Sequence, residues 1–163
     1  DGLVPVLETE GHRLSQSLAI VEFLEETHPS PPLLPSDPWG RARVRALAQT
    51  IACEIHPINN LRILKYLTGP LGASEADKLA WIHHWVITGL TAVERMLSES
   101  STGEFCHGDQ PGLADLCLVP QVFNAQRFEV PLDAFPQVMR IHDRCQRLPA
   151  FAQAHPSRCP DAG

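Results

Sequence analysis

The sequence predicts a mainly α protein, in which a short β-β-α segment precedes an all-helical region. Two strand-like runs lie before residue 16, whereas the apolar residues from Pro38 onward recur at helical spacing. Between the two regions the chain is rich in proline, with Pro31, Pro32, Pro35 and Pro38. Because proline stops helices and stiffens loops, this stretch is expected to link two architectures.

The β-β-α segment follows from strand, turn and cap signals. Val4 to Glu8 is a β-like run, Glu10-Gly11 is a turn signal, and His12 to Leu14 forms a brief second strand. Ser17 is expected to cap and begin an amphipathic helix that ends at Thr27.

Four helices and a short last turn are expected after the linker. They are a long helix over about Trp39 to Thr68, a second that opens at Ala73-Ser74, a third from Gly112, a fourth over residues 135–147, and a turn over 149–154. Asp115 is expected to accept a hydrogen bond from the Gly112 N–H at the start of the third helix. We therefore assign Asp115 to folding.

A polar cluster interrupts the long predicted helix. His56, Pro57, Asn59, Asn60 and Arg62 follow one another closely, and their three- and four-residue spacings place the polar ones on roughly one side of a helix. A core helix has no use for such a cluster. The segment therefore predicts a helix that lines a polar pocket.

Composition narrows the class of protein. At 163 residues and 44% hydrophobic the chain can bury a core, and no apolar run approaches the length of a membrane span. A net charge of -6 argues against nucleic acid and anionic membranes as partners, but allows a local cationic pocket. The chain begins with Asp1 and its first residues read as mid-domain, so we expect that an N-terminal part is missing.

The cysteines and histidines favour no metal site. None of the five cysteines (Cys53, Cys106, Cys117, Cys145 and Cys159) forms a Cys-x-x-Cys pair, which favours reduced structural thiols in a cytoplasmic protein. Cys53 and Cys117 lie in apolar helical patterns and are expected in the core. His83 and His84 point about 100° apart on a helix, so they are expected at a surface or between helices.

The order of motifs is more specific than any one of them. Val4-Pro5 before a strand is a candidate cis bond, although trans is commoner, and Ser17 alone is an ordinary cap. Followed by a hairpin, Gln16-Ser17, a helix, a proline linker and a helical region, the chain resembles a glutathione transferase with only the β-β-α remnant of its thioredoxin-like domain. The resemblance implies that Val4 pairs with the cysteinyl backbone of glutathione, while Gln16 and Ser17 hold its γ-glutamyl end.

The helical half resembles the zeta class, which includes maleylacetoacetate and maleylpyruvate isomerases. The likeness covers nearly the whole chain and rests on three stretches: His56 to Asn60, Leu118 to Val122 and Asn124 to Phe128. It implies glutathione as the cofactor, a small acidic substrate and a homodimer. It also implies substrate-binding roles for His56, Asn60, Arg62 and Arg127.

The two arginines have competing interpretations. On the residues alone, Arg62 is a solvated helix residue and Arg127 compensates a helix dipole. The resemblance favours ligand roles, since arginine binds carboxylates through two parallel hydrogen bonds. In this class a Ser-rich segment with an arginine activates the thiol, and no residue here matches it. The catalytic residues are therefore unassigned, and Pro5, Gly112 and Asp115 are taken as structural.

The expected function is glutathione-dependent cis-trans isomerisation of maleylpyruvate or maleylacetoacetate, with activity of this piece alone left open. Two alternatives are a general glutathione transferase acting on small electrophiles and a non-enzymatic interaction module. We expect residues 1–29 to form the end of a thioredoxin-like domain, residues 30–37 a linker, and residues 38–163 a helical domain.

Overall fold

A two-residue turn closes the hairpin with which the described chain begins. The computed structural model describes residues 4–159, so the outermost residues of the predicted domains lie outside it. Strands β1 (Val6–Thr9) and β2 (His12–Ser15) pair antiparallel, with Val6 opposite Ser15. Glu10 and Gly11 have φ of 50° and 78°, which matches the right-handed strand twist. The predicted strands and turn are confirmed.

Helices make up most of the remaining structure. They are α1 (Ser17–Thr27), α2 (Pro38–Gln49), α3 (Leu61–Thr68), α4 (Glu75–Leu97), α5 (Leu113–Arg127), α6 (Pro136–Gln146) and α7 (Pro149–Gln153). A π-helical turn (Thr50–Ile55) and a 3-10 turn (Pro57–Asn59) connect α2 to α3, and a second 3-10 turn covers Pro156–Arg158. After residue 40, the described chain has only an isolated bridge between Thr102 and Gly108, so a mainly α fold is confirmed. None of the helices in residues 4–159 is long and apolar enough to span a bilayer.

The single long helix predicted over Trp39 to Thr68 is wrong. After α2 the backbone widens, and the His56 N–H donates to the Ile51 carbonyl five residues back at 3.0 Å. Pro57 then removes a helical N–H. Asn60 is extended (φ -68°, ψ 149°), and its side chain accepts from the Arg62 N–H to cap α3. The polar cluster therefore lies on three short elements instead of one helix face.

The core is organised around α4. Its residues Ile82, Val86, Leu90, Val93 and Leu97 recur every three or four positions and are almost completely buried. Helices α5 and α6 pack against each other, and α6 also packs on α4. Ser74 and Asp77 cap α4 reciprocally, which confirms the predicted start of this helix at Ala73-Ser74.

The proline-rich stretch is attached to the helices at both sides. The Leu33 N–H donates to the Glu25 carboxylate of α1 at 2.7 Å, and the Leu33 carbonyl accepts from the Leu113 N–H of α5 at 2.9 Å. Leu34 is buried in the core. A Cβ on Gly112 would lie 2.7 Å from the Leu33 oxygen. This close approach explains the glycine at the cap of α5.

Asp115 makes the hydrogen bond that the sequence predicted. Its Oδ2 accepts from the Gly112 N–H at 2.9 Å, and its Oδ1 accepts from the Cys106 N–H at 3.0 Å. Burial raises the pKa of this carboxyl, while the hydrogen bonds act in the opposite direction. Asp115 thus joins the start of α5 to the loop that precedes it.

The cysteine expectations are partly wrong. All five cysteines carry free thiols, but Cys53 is exposed, because the π-helical turn rotates it away from the core that a regular helix would have given it. Cys117 is half-buried. His83 lies between helices as expected, since its Nε2 is 2.8 Å from the Phe128 carbonyl, and His84 packs edge-on against Trp85.

Candidate functional site

A cavity of about 720 Å³ lies between the hairpin, the start of α1, the π-helical turn and α5. Its lining from the hairpin and α1 is Val4, Pro5, Val6, Ser15, Gln16, Ser17, Leu18 and Val21. The turns after α2 and the start of α3 contribute Ile51, Ala52, His56, Pro57, Asn60 and Arg62. Helix α5 contributes Leu113, Leu116, Cys117, Pro120, Gln121, Phe123 and Asn124. The cavity is large enough for a tripeptide-sized ligand.

The first wall combines an exposed strand start with a helix N-terminus. Val4 is 90% exposed and precedes the paired part of β1, and the Val4-Pro5 bond is cis, as predicted. A second cis bond, Ser30-Pro31, was not predicted. An extended ligand can pair with backbone groups at such a strand start.

The residue at the cap position of α1 is Gln16, so the expectation that Ser17 caps this helix is wrong. Gln16 has φ 74° and ψ 113°, a left-handed backbone that is costly for a residue with a side chain. No side chain of residues 4–159 caps α1, and Ser17 is its first residue. The free N–H groups and the helix dipole therefore face the cavity and suit a carboxylate.

The second wall carries polar and cationic groups. His56 and Arg62 are exposed, and both line the cavity. The Asn60 Oδ1 accepts from the Arg62 N–H, which leaves the amide nitrogen of Asn60 for a ligand. Asn59 does not belong to this wall, since it is buried and donates to the Ile55 carbonyl at 3.2 Å. Donors on His56, Asn60 and Arg62 fit an anionic ligand.

Helix α5 supplies the third wall. Because Pro120 has no N–H, the Leu116 carbonyl cannot make its regular helical bond, and both residues line the cavity. Burial raises the pKa of the Cys117 thiol to about 11, so this sulfur is protonated near neutral pH. Gln121 also lines this wall and is 3% exposed. Gln121 was not predicted from the sequence as a site residue, although a glutamine within an apolar helical pattern is a signal of a polar wall.

The structure brings together six of the seven predicted ligand residues: Val4, Gln16, Ser17, His56, Asn60 and Arg62. Arg127 is not part of the lining. It is exposed at the end of α5, one turn beyond Asn124, with its guanidinium carbon 5.8 Å from the centre of the Phe128 ring. Pro5 lines the cavity, whereas Gly112 and Asp115 support α5 from outside it.

Comparisons with known proteins agree with this architecture. The maleylacetoacetate isomerase of Rhizobium meliloti is 50% identical over 157 residues, which cover 96% of this chain and 74% of the relative. A maleylpyruvate isomerase structure, described as a bacterial zeta-class glutathione transferase, is 48% identical with a TM-score of 0.96, covering 99% of this chain and 76% of that one. No protein-family model matches the chain.

A third relative was solved with ligands in its active site. The maleylacetoacetate isomerase of Anaeromyxobacter dehalogenans, with bound dicarboxyethyl glutathione and citrate, is 43% identical with a TM-score of 0.93 over 100% of this chain and 74% of that one. The fold is thus that of glutathione transferases. The chain belongs to the family of maleylacetoacetate and maleylpyruvate isomerases in the zeta class, whose members are glutathione-dependent enzymes.

Proposed function

We propose that this chain is a glutathione-dependent isomerase that converts maleylpyruvate or maleylacetoacetate from the cis to the trans acid. The observation that carries the proposal is one cavity with two chemically different sides. Val4, Gln16 and Ser17 lie on one side, and His56 and Arg62 lie on the other. The first set fits a peptide with a terminal carboxylate, and the second fits an organic acid.

The residues present fit glutathione. The uncapped start of α1 offers N–H groups to the γ-glutamyl carboxylate, and Gln16 lies beside it to bind the ammonium group. The exposed strand start at Val4 offers backbone groups to the cysteinyl residue. When bound, glutathione supplies the thiol that adds to the double bond, permits rotation about the resulting single bond, and leaves again.

The protein's part in this chemistry is binding and electrostatics. Arg62 and His56 hold substrate carboxylates beside the thiol, so that the reaction occurs within one complex. The charge of Arg62 and the donor groups of both residues also stabilise the negative charge that builds up on the substrate during addition. Arg127 is proposed to assist from the end of α5, where it lies one turn from the cavity residue Asn124.

Isomerisation with a limiting amount of glutathione tests the proposal. Proton NMR of the cis acid with this protein is expected to show the trans acid in large excess over glutathione, and no product when glutathione is omitted. Arg62→Ala is expected to slow the reaction, whereas Arg95→Ala, on the exposed last turn of α4, is expected to leave it unchanged.

Two other outcomes would contradict the proposal, and each would favour a different function. A conjugate that accumulates in proportion to the glutathione consumed, with neutral electrophiles accepted equally, would indicate a general glutathione transferase. A folded protein that binds no glutathione would indicate an interaction module without enzymatic activity.

We also propose a cellular setting and an assembly. Five free thiols favour the cytoplasm. Exposed Leu61, Tyr66 and Leu71 favour contact with a second copy in a homodimer. The division into residues 1–29, 30–37 and 38–163 is likewise proposed, supported by the hairpin before and the helices after the proline-rich stretch.

A further inference from the structure

Gln121 has a buried donor that no part of the described protein uses. Its side chain is 3% exposed, and its Nε2 finds no hydrogen-bond acceptor in residues 4–159. Burying an amide without a partner is unfavourable, so proteins normally satisfy such groups. The Oδ1 atom of Asn59 shares this condition within the described chain, but Asn59 does not line the cavity.

Other buried polar side chains show what a structural role looks like here. Asp115 lies on the same helix, and its carboxylate accepts from the N–H groups of Cys106 and Gly112. Glu25 is also buried, and it accepts from the Leu33 N–H. Each of these side chains joins two parts of the fold. The Gln121 amide nitrogen makes no such connection within residues 4–159.

The position of Gln121 indicates what it binds. It lies in the cavity wall four residues after Cys117 and three before Asn124, on the face of α5 that lines the cavity. The same cavity is lined by Arg62 and His56, the groups that suit an acidic ligand. A neutral amide N–H in a wall shielded from water is a good donor to an anionic oxygen.

We propose that Gln121 is a substrate-binding residue. Its Nε2 is enclosed in the free protein; the amide turns toward the cavity that Gln121 lines, and Nε2 then donates a hydrogen bond to a carboxylate oxygen of the acidic substrate. This inference rests on the proposed function and adds a neutral donor to the cationic groups there. It assigns to α5 a direct part in recognising the acid, in addition to shaping the wall. The stability that the unpartnered amide costs the free protein is recovered when the ligand binds.

Two ligands that differ in their acid group separate binding from folding. We would measure by calorimetry the Kd of S-(1,2-dicarboxyethyl)glutathione and of S-ethylglutathione, and by urea unfolding the midpoint of each variant. Gln121→Leu and Gln121→Met remove the donor and keep similar volume. Gln126→Leu, at an exposed position of the same helix, is the matched control.

The expected result is a loss in one property only. Gln121→Leu and Gln121→Met should bind the dicarboxyethyl ligand roughly tenfold to a hundredfold more weakly, because a hydrogen bond to a charged group is lost. Their affinity for S-ethylglutathione should stay within about twofold of wild type, and their unfolding midpoints should not fall. Gln126→Leu should change neither affinity.

Other results would overturn the inference. If both Gln121 variants discriminate between the two ligands as well as wild type does, Gln121 does not bind the acid, and the proposed function stands. If both variants unfold at lower urea concentration, or bind both ligands more weakly by the same factor, Gln121 is structural. If wild type binds neither ligand, the proposed function and this inference fail together.

Discussion

The side chain of Ile55 fills the space where any residue larger than glycine at position 89 would place its Cβ. A Cβ on Gly89 would lie 2.6 Å from the Ile55 Cδ1. Ile55 ends the π-helical turn and is completely buried against α4, and His56 follows it into the cavity wall. The contact between Ile55 and Gly89 therefore fixes where the turn presents His56.

Gly89→Ala is expected to destabilise the protein, although alanine is the better helix former. Replacing glycine within a helix gains about 1 kcal/mol of propensity, whereas overpacking a filled site costs about 1–3 kcal/mol. Because the Ile55 side chain is enclosed by the core and has little room to give way, the cost should dominate. Urea unfolding would measure it, with Thr88→Ala at the exposed neighbouring position as control. A Gly89→Ala variant more stable than wild type would show that the π-helical turn accommodates the added Cβ without cost.

Arg127→Ala is expected to weaken binding of the acidic substrate without weakening binding of glutathione. A lost charge-assisted pair is worth about 1.5–3 kcal/mol, so kcat/KM should fall roughly tenfold to a hundredfold while glutathione affinity stays unchanged. Arg127→Lys should recover part of the loss, because lysine keeps the charge but not the planar fork. Arg95→Ala is the control. If folded Arg127→Ala has an unchanged kcat/KM, Arg127 does not bind the substrate and only compensates the dipole at the end of α5. Its position outside the cavity lining is compatible with that role.

Asp115→Ala is expected to cost about 2–4 kcal/mol of unfolding free energy, because the N–H groups of Gly112 and Cys106 lose their acceptor. Asp115→Asn, which keeps one acceptor oxygen, should lose less. Asp133→Ala, an exposed aspartate, is the control. Thermal or urea unfolding that gave equal values for Asp115→Ala and the control would remove the proposed structural role.

The stability difference between wild type and Asp115→Asn should also depend on pH. Burial raises the folded-state pKa of Asp115, so the folded protein binds this proton more tightly than the unfolded chain does. Wild type should therefore gain stability relative to Asp115→Asn as pH falls from neutral toward the unfolded pKa of about 4. Urea unfolding across that range would measure the difference. A change in the opposite direction would mean that the hydrogen bonds outweigh burial.

Cys117 and Cys53 should differ in reactivity. With a pKa of about 11, Cys117 is thiolate in about one molecule in a thousand at pH 8, whereas Cys53 is exposed. Mass spectrometry after brief iodoacetamide treatment should find Cys53 modified first, and Cys117 reacting faster as pH rises. S-ethylglutathione should protect Cys117 in a Cys53→Ser variant, because Cys117 lines the cavity. Rapid modification of Cys117 at pH 8 would contradict its burial.

Local signals predicted most of the elements. The hairpin, α1 and α6 begin and end close to the predicted residues, and α4 and α5 begin close to theirs, because turn residues, caps and apolar spacing act within a few positions. The prediction of one long helix over Trp39 to Thr68 was wrong because tertiary contacts determine the backbone conformation there. The π-helical turn packs Ile55 against Gly89 of α4, 34 residues further along the chain, and no local signal reveals that contact.

The site was predictable where a motif specifies backbone geometry. Val4 and Gln16 were identified from their order along the chain, and the structure places both at the cavity. The left-handed backbone of Gln16 and the uncapped start of α1 were not foreseen, since a serine at position 17 reads as an ordinary cap. Gln121 was missed because its unpartnered amide becomes visible only when its surroundings are known.

We propose that one cavity of this protein holds glutathione on one side and an acid on the other. Calorimetric comparison of S-(1,2-dicarboxyethyl)glutathione with S-ethylglutathione tests it most directly, because the two ligands share the peptide and differ in the acid. We expect wild type to bind the dicarboxyethyl ligand roughly tenfold or more tightly than S-ethylglutathione, through donors such as Arg62. Equal affinities, or tighter binding of S-ethylglutathione, would contradict it.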